Sequence, residues 1–280
     1  MMQRGSPAKA PMAPLVREGA IHMTNTPRPA DVWSTPLGSP TYPRYPIAFR
    51  DCSVLSLQYQ TDPEAIRALL PTPLEATGDT VLINVGRWGD VPGIGSDMLE
   101  CNVMIGARLT TRDASIAGAY SPFFFLDNDR AIALGREVQG QPKRLAKIGL
   151  EVRDDLHVGT VAVNGIEILT GTMVYKSAPA PPEAVRQRVD MRTNINFKVI
   201  PHIDGRMAVS QLVARDLEDI DVSECWTGPC TVDIRPHAGS PLHLLPVVRH
   251  LEGYYWRASF SLAGGVVLHD YLAEDLQGRT

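Results

Sequence analysis

The sequence predicts a mainly-β protein, α+β by a few minor helices, built as a large antiparallel barrel or sandwich. Three observations predict it. Apolar and polar residues alternate over many short segments, which is the period of a half-buried strand. Asn164-Gly165 lies between two such segments and reads as a two-residue hairpin, because both residues tolerate the positive φ that this turn requires. Helical periodicity is scarce, and many strands at short spacing favour a barrel or sandwich over repeated βαβ units.

In chain order, Val54–Gln60 is the first alternating segment. Pro63–Leu70 is a short helix, with Asp62 as N-cap and Pro63 in the first turn, where its missing N–H is not needed. Val81–Val85 and, more loosely, Val103–Leu109 alternate again. Phe123–Leu126 and Ala131–Leu134 read as buried strand or packed backbone. Leu150–Val152, Val158–Val163 and Ile166–Tyr175 surround the hairpin signal, and Asn194–Ile200, Met207–Ala214, Thr231–Ile234 and Tyr254–Leu262 continue the strand set. Ser177–Glu183 is rich in Pro and Ala but short, and reads as a loop.

A chain of 280 residues holds one large or two small domains. No central Pro/Gly/Ser linker divides it, so residues 33–280 are read as a single catalytic domain. Residues 1–32 are rich in Pro, Ala and polar residues without a helical or strand period, and lack the apolar core of a signal peptide. They are read as a disordered tail, with Met23 a candidate native start. A net charge of −4 gives no reason to expect a nucleic-acid partner, and no apolar run approaches the length of a membrane span. The four cysteines have no Cys-x-x-Cys pairing, which is the pattern of reduced, buried thiols in a cytoplasmic protein. His237, His243 and His250 match no metal-site spacing, so no metal and no cofactor is expected.

The chemistry is concentrated in Gly135-Arg136-Glu137-Val138-Gln139-Gly140-Gln141-Pro142-Lys143-Arg144-Leu145. An ordinary lysine has a pKa of about 10.4, so only roughly one in 2,500 carries a neutral, nucleophilic amine at pH 7. Apolar surroundings disfavour the ammonium, and a fixed cation beside it does the same. Arg144 cannot give up its proton, so Lys143 is the partner that would yield. Bringing that pKa to 7 requires about 4–5 kcal/mol of differential destabilisation. The plain alternative is a turn carrying two solvated charges.

Further pieces decide between these readings. Thr35-Pro36-Leu37, Ser39-Pro40, Tyr42-Pro43-Arg44, Tyr59-x-Thr61-Asp62 and Pro71-x-Pro73-Leu74 come first. Leu126-Asp127-Asn128, Gly135-Arg136-Glu137, Pro142-Lys143, Glu224-x-Trp226-Thr227-Gly228-Pro229 and Asp270-Tyr271-Leu272 follow. In this order and at these spacings the chain, from about Thr35 to Leu272, resembles the acetoacetate decarboxylase family. That resemblance implies an antiparallel β fold around a buried pocket, with Lys143 as the Schiff-base lysine and Arg144 in place of the cation that lowers its pKa. It implies Glu100 as the active-site acid/base and Arg136 and Glu137 as part of the lysine motif, where Glu137 is preferred as a structural ion-pair partner. Tyr271 is read equally as a pocket residue and as a core tyrosine.

Three departures from the family pattern bear on the reaction. Cys52 stands where the decarboxylases carry an arginine, with Arg50 two residues away; Asn84 replaces a second glutamate; and Gln141 replaces an aromatic residue before Pro-Lys. Members with a glutamine there look like pyruvate aldolase-dehydratases. The expected activity is therefore a Schiff-base lyase acting on a small keto acid, above all pyruvate aldol condensation and dehydration with an aldehyde co-substrate. Decarboxylation of acetoacetate is the alternative, and a non-catalytic small-molecule binder the alternative of another class. Lys143, Glu100 and Arg144 are the expected catalytic residues, and Gln141, Arg136, Arg50 and Tyr271 the expected substrate-binding ones. The resemblance also implies a homo-oligomer.

Overall fold

In a computed structural model, residues 28–112, 114–188 and 193–273 are described. The strands are β1 Ile47–Gln60, β2 Glu75–Val91, β3 Gly95–Thr110, β4 Ser115–Leu126, β5 Lys143–Leu145, β6 Lys147–Arg153 and β7 Leu156–Val163. They continue as β8 Ile166–Val174, β9 Ala178–Pro179, β10 Asn194–Pro201, β11 Met207–Arg215, β12 Leu217–Ile234, β13 Arg249–Leu262 and β14 Val266–Asp270. Three short helices interrupt them: α1 Pro63–Leu69, α2 Asp129–Glu137 and α3 Pro182–Arg188.

The strands form one continuous 14-stranded sheet in the order β14-β11-β10-β4-β3-β2-β1-β13-β12-β8-β7-β6, with β5 on β4 and β9 on β12. The 18-residue β12 is the corner. Its first part pairs with β13 and its last five residues pair with β8. Beyond that corner β6 and β8 lie back across β1–β4, giving a two-layer arrangement whose edges β14 and β6 do not pair. The mainly-β expectation holds. Two pairings are parallel rather than antiparallel, β10 on β4 and β5 on β4. The second has a simple cause: α2 carries the chain from the end of β4 back to lay β5 alongside it, as a parallel pair requires.

Strands β1–β4 and β13 are buried on both faces. One face, with Leu55, Leu57, Ile83, Val103 and Phe125, packs beneath β6–β8. The other, with Val54, Leu82, Met104, Phe124 and Trp256, looks toward α2 and β11. Double burial explains the apolar runs Val81–Ile83 and Phe123–Leu126, since neither face meets water.

Local chemistry sets several elements where the sequence places them. Asp62 caps α1, its side chain accepting from Glu64 N at 2.8 Å. Asn164 and Gly165 have φ of 52° and 79° and turn β7 into β8. Two segments differ from expectation. Ala131–Leu134 is helical, because Asn128 caps α2 by accepting from Ala131 N at 2.9 Å. Ser177–Glu183 contributes β9 and the start of α3 rather than a plain loop. Of the tail expected over residues 1–32, the first 27 lie outside the described residues; Pro29–Asp31 form a 3₁₀ turn tied by an Arg28–Asp31 ion pair. All four cysteines are free and buried. No helix among the described residues is long and apolar enough to cross a membrane.

Candidate active site

A transverse row of side chains builds the site. Register aligns Lys143 on β5 with Phe124 on β4, then Asn102 on β3, Asn84 on β2 and Ser56 on β1. All face the α2 side of the sheet. The polar row is braced from one end: Trp256 Nε1 donates to Ser56 Oγ at 2.8 Å, and Ser56 Oγ donates to Asn84 Oδ1 at 2.5 Å. Asn102 Oδ1 is buried with no hydrogen-bond partner. One pair further along β3 is Glu100.

Lys143 is buried, with its Nζ 3.6 Å from Glu100 Oε2 and 4.9 Å from the centre of the Phe124 ring. Burial pushes the Lys143 ammonium below the ordinary lysine range, and the charge of Arg215 pushes the same way while Glu100 opposes it. Burial pushes Glu100 up, against the pull of Lys143 and Arg215. Both shifts run toward the uncharged forms. An uncharged lysine amine is a nucleophile, and a carboxyl group at this distance can exchange protons with what the amine binds.

The lysine loop holds this geometry through its backbone. Gln141 N donates to Gly135 O at 2.9 Å and Lys143 N to Gln141 O at 2.8 Å, while Arg136 Nη1 donates to Lys143 O at 3.4 Å. Gly135 is required by space. A Cβ there would lie 2.2 Å from Lys143 Cδ and 3.0 Å from Gln141 Oε1, so the lysine side chain runs through the place a larger residue would fill. Around the amine is a cavity of about 90 Å³, lined by Trp88, Phe260 and Trp256 among its apolar walls and by Gln139, Asn194 and Arg215 among its polar ones. At 10–15 Å³ for each water-sized position, it has room for roughly six to nine such positions, the scale of a small keto acid. Gln141 also lines it, 2% exposed, with neither end of its amide hydrogen-bonded. A buried amide left unpaired costs free energy that a ligand can relieve.

Of the residues expected from sequence, the fold brings Lys143, Glu100 and Gln141 together. It does not bring Arg144, Arg136, Arg50 or Tyr271 into the cavity. Neighbours on a strand point to opposite faces, so Arg144 turns outward and its Nη1 donates to Gly239 O and to Ser240 Oγ. The cation acting on Lys143 is Arg215 instead. Arg136 is exposed and braces the loop backbone, and Glu137 accepts from Tyr42 Oη at 2.6 Å. Arg50 is exposed and pairs with Asp90 at 3.0 Å. The β1–β13 register shifts between Phe49 and Cys52, with Asp51 at φ 50°, and this bulge separates Arg50 from the inward-facing Cys52. Cys52 is fully buried in the core, its thiol pushed up to about 12 by burial. Tyr271 packs on Phe197 at 5.4 Å and donates to Thr72 O, on the far side of β10 and β11.

Sequence reasoning passed over Arg215, Asn102, Asn194 and Gln139. Arg215 stands one residue beyond the alternating segment Met207–Ala214, and only its pairing with Asn194 across β10–β11 carries it to the lysine. Among the described residues no group of three or more His, Cys, Asp or Glu is placed to hold a metal.

Comparison with known proteins finds relatives over most of the chain. The acetoacetate decarboxylase (ADC) family model matches residues 34–272. Acetoacetate decarboxylase 2 of Mesorhizobium japonicum is 36% identical over 255 residues, which is 90% of this chain and 95% of that relative. The solved acetoacetate decarboxylase of Legionella pneumophila is 31% identical with a TM-score of 0.80, covering 93% of this chain and 100% of that one. MppR, an enduracididine biosynthesis enzyme solved in complex with pyruvate, has a TM-score of 0.70 at 20% identity over 85% of this chain and 98% of its own, a likeness of fold. Similarity of this extent and identity leads to one conclusion: the chain belongs to the acetoacetate decarboxylase family and is a lyase of that family.

Proposed function

We propose that the chain condenses pyruvate with an aldehyde and dehydrates the product, through an iminium on Lys143. The observation that carries this reading is the cation and the open amide that share the lysine's cavity, Arg215 and Gln141. Loss of carbon dioxide draws negative charge out of a carboxylate. A cation and amide donor that hold the carboxylate stabilise the state before that loss and slow it. A reaction that keeps the carboxylate is served by the same groups.

In this reading the Lys143 amine adds to the ketone carbon of pyruvate, and water leaves to give the iminium. Glu100 lies within reach to supply the proton that the departing oxygen needs. Its carboxylate then takes a proton from the pyruvate methyl group, giving an enamine whose terminal carbon attacks the aldehyde carbon. The new alkoxide takes a proton, a second α-proton leaves, and the hydroxyl departs as water. Hydrolysis of the iminium consumes one water and frees Lys143. Net, pyruvate and an aldehyde give an unsaturated keto acid and one water.

Decarboxylation of acetoacetate is the second reading, favoured by the 36% identity to a relative named for it. Borohydride reduction in the presence of pyruvate, followed by peptide mass analysis, tests the shared chemistry. An adduct on Lys143 is expected, and its absence overturns the proposal. Enone formation from pyruvate and an aldehyde, measured against carbon dioxide release from acetoacetate, then separates the two reactions. Faster carbon dioxide release favours the second.

A further inference from the structure

Beside the lysine cavity lies a larger one of about 290 Å³, and the two share Gln139 and Arg215 in their walls. The paired strands β10 and β11 run from one to the other. Their register aligns Asn194 with Arg215, Asn196 with Val213 and Lys198 with Gln211. Because alternate residues share a face, these three pairs point the same way. The first pair lines the lysine cavity and the next two line the outer chamber. Four residues of strand separate Arg215 from the Lys198 pair, roughly 13 Å. Trp33, Tyr45 and Val266 close the chamber's other sides.

Two features mark the chamber as a place built to hold a ligand. Asn196 is 1% exposed; its Nδ2 donates to Asn194 Oδ1 at 2.9 Å, but its own Oδ1 has no hydrogen-bond partner. Lys198 is half-buried and makes no ion pair among the described residues. Burial pushes its ammonium down, a cost that an arriving carboxylate would offset. Lys198 is also fixed to the catalytic loop. A Cβ at Gly140 would lie 2.6 Å from Lys198 Cβ, so loop and strand touch there.

The lysine cavity has room for a keto acid and little more, so in a two-substrate reaction the second molecule needs its own space. We infer that the outer chamber is the acceptor site, and that it takes a small aldehyde carrying a carboxylate, held by Lys198, and an O–H or N–H donor directed at Asn196. The aldehyde end then reaches the Gln139–Arg215 boundary, where it meets the carbon activated on Lys143. Arg215 serves the keto acid and Lys198 the acceptor. This assignment rests on the aldol reading above.

The test compares 4-oxobutanoate with butanal as acceptors for pyruvate, in the full-length enzyme and in Lys198→Gln and Lys198→Arg. The wild type should prefer 4-oxobutanoate in kcat/KM by about tenfold or more, the value of one charge-assisted pair. Lys198→Gln should erase that preference through KM, and Lys198→Arg should restore it. No preference in the wild type overturns the assignment, whether or not the variants fold, and so does a preference that survives Lys198→Gln. Borohydride trapping of pyruvate alone separates the two levels. A trapped adduct with no acceptor preference removes only the chamber's role, whereas no adduct at all removes the aldol reading and the assignment with it.

Discussion

Lys143 is a costly residue for the fold and the reactive residue of the proposed site, and these facts have one origin. Burial removes the solvation of its ammonium, so between its depressed pKa and the ordinary 10.5 the unfolded chain binds a proton that the folded chain does not. Stability contributed by this group is therefore reduced at neutral pH and recovers as pH rises toward 10.5. Lys143→Met should raise Tm at pH 7, with a gain that shrinks as pH rises toward that value, while reducing iminium trapping to background. A lower Tm at pH 7 would contradict the buried-amine account. The neighbours make a second prediction at this scale. Iminium formation measured against pH should have its midpoint below the ordinary lysine value. Arg215→Ala should move that midpoint up, since a repelling cation is gone, and Glu100→Gln should move it down, since a stabilising carboxylate is gone. Arg144→Ala should leave it in place because that guanidinium faces Gly239 and Ser240; a rise on Arg144→Ala would reinstate the partner expected from sequence.

At the scale of elements, α2 and β5 form the device that presents the amine. The capped helix returns the chain to β4, and a three-residue strand suffices to turn Lys143 inward and Arg144 outward. Gly135 tests this directly. Alanine favours a helix over glycine by about 1 kcal/mol, and the atoms it would strike belong to the flexible lysine side chain rather than to backbone. Gly135→Ala should thus shift Tm by no more than a few degrees, yet iminium formation should fall by about a hundredfold, the usual consequence of misplacing a reacting group by an ångström. Circular-dichroism melts and single-turnover trapping on one preparation check both halves. A full trapping rate would show that the lysine does not run through that space. Part of this element was legible: Pro142-Lys143 lies within the matched motif, whereas Ala131–Leu134 reads as buried strand or packed backbone and its helix emerges only with the Asn128 cap. The direction of each side chain was not, because in a loop of irregular turns the sequence gives no period from which to assign a face.

For the whole molecule, the doubly buried sheet is what holds the Lys143 amine and the Glu100 carboxyl group in place. Ile83 is fully buried beneath β6–β8, on the face opposite Asn84. Ile83→Ala should cost about 2–5 kcal/mol, lowering Tm by several degrees, while the folded enzyme keeps its trapping rate at 25 °C. A loss of trapping without loss of stability would mean that the two faces of the sheet are coupled more tightly than their separate cores indicate. The same architecture brings β10 and β11, late in the chain, against a loop that closes before residue 145. Arg215 and Lys198 reach the site only by that long-range pairing.

The sequence by itself determined the strand-rich class, the capped first helix, the hairpin at Asn164-Gly165 and the family, and through the family resemblance it pointed to Lys143, Glu100 and Gln141. The class, helix and hairpin follow from local period and turn chemistry, each confined to a few neighbouring residues, and the family from the order and spacing of short motifs. Tertiary structure alone decided which cation faces Lys143, why Arg50 and Tyr271 do not, and that a second chamber adjoins the first. Each of those depends on strand register, on a single bulge at Asp51, or on pairs of residues far apart in the chain. Such relations exist only once distant strands have paired, because facing is a property of the sheet and not of any one segment.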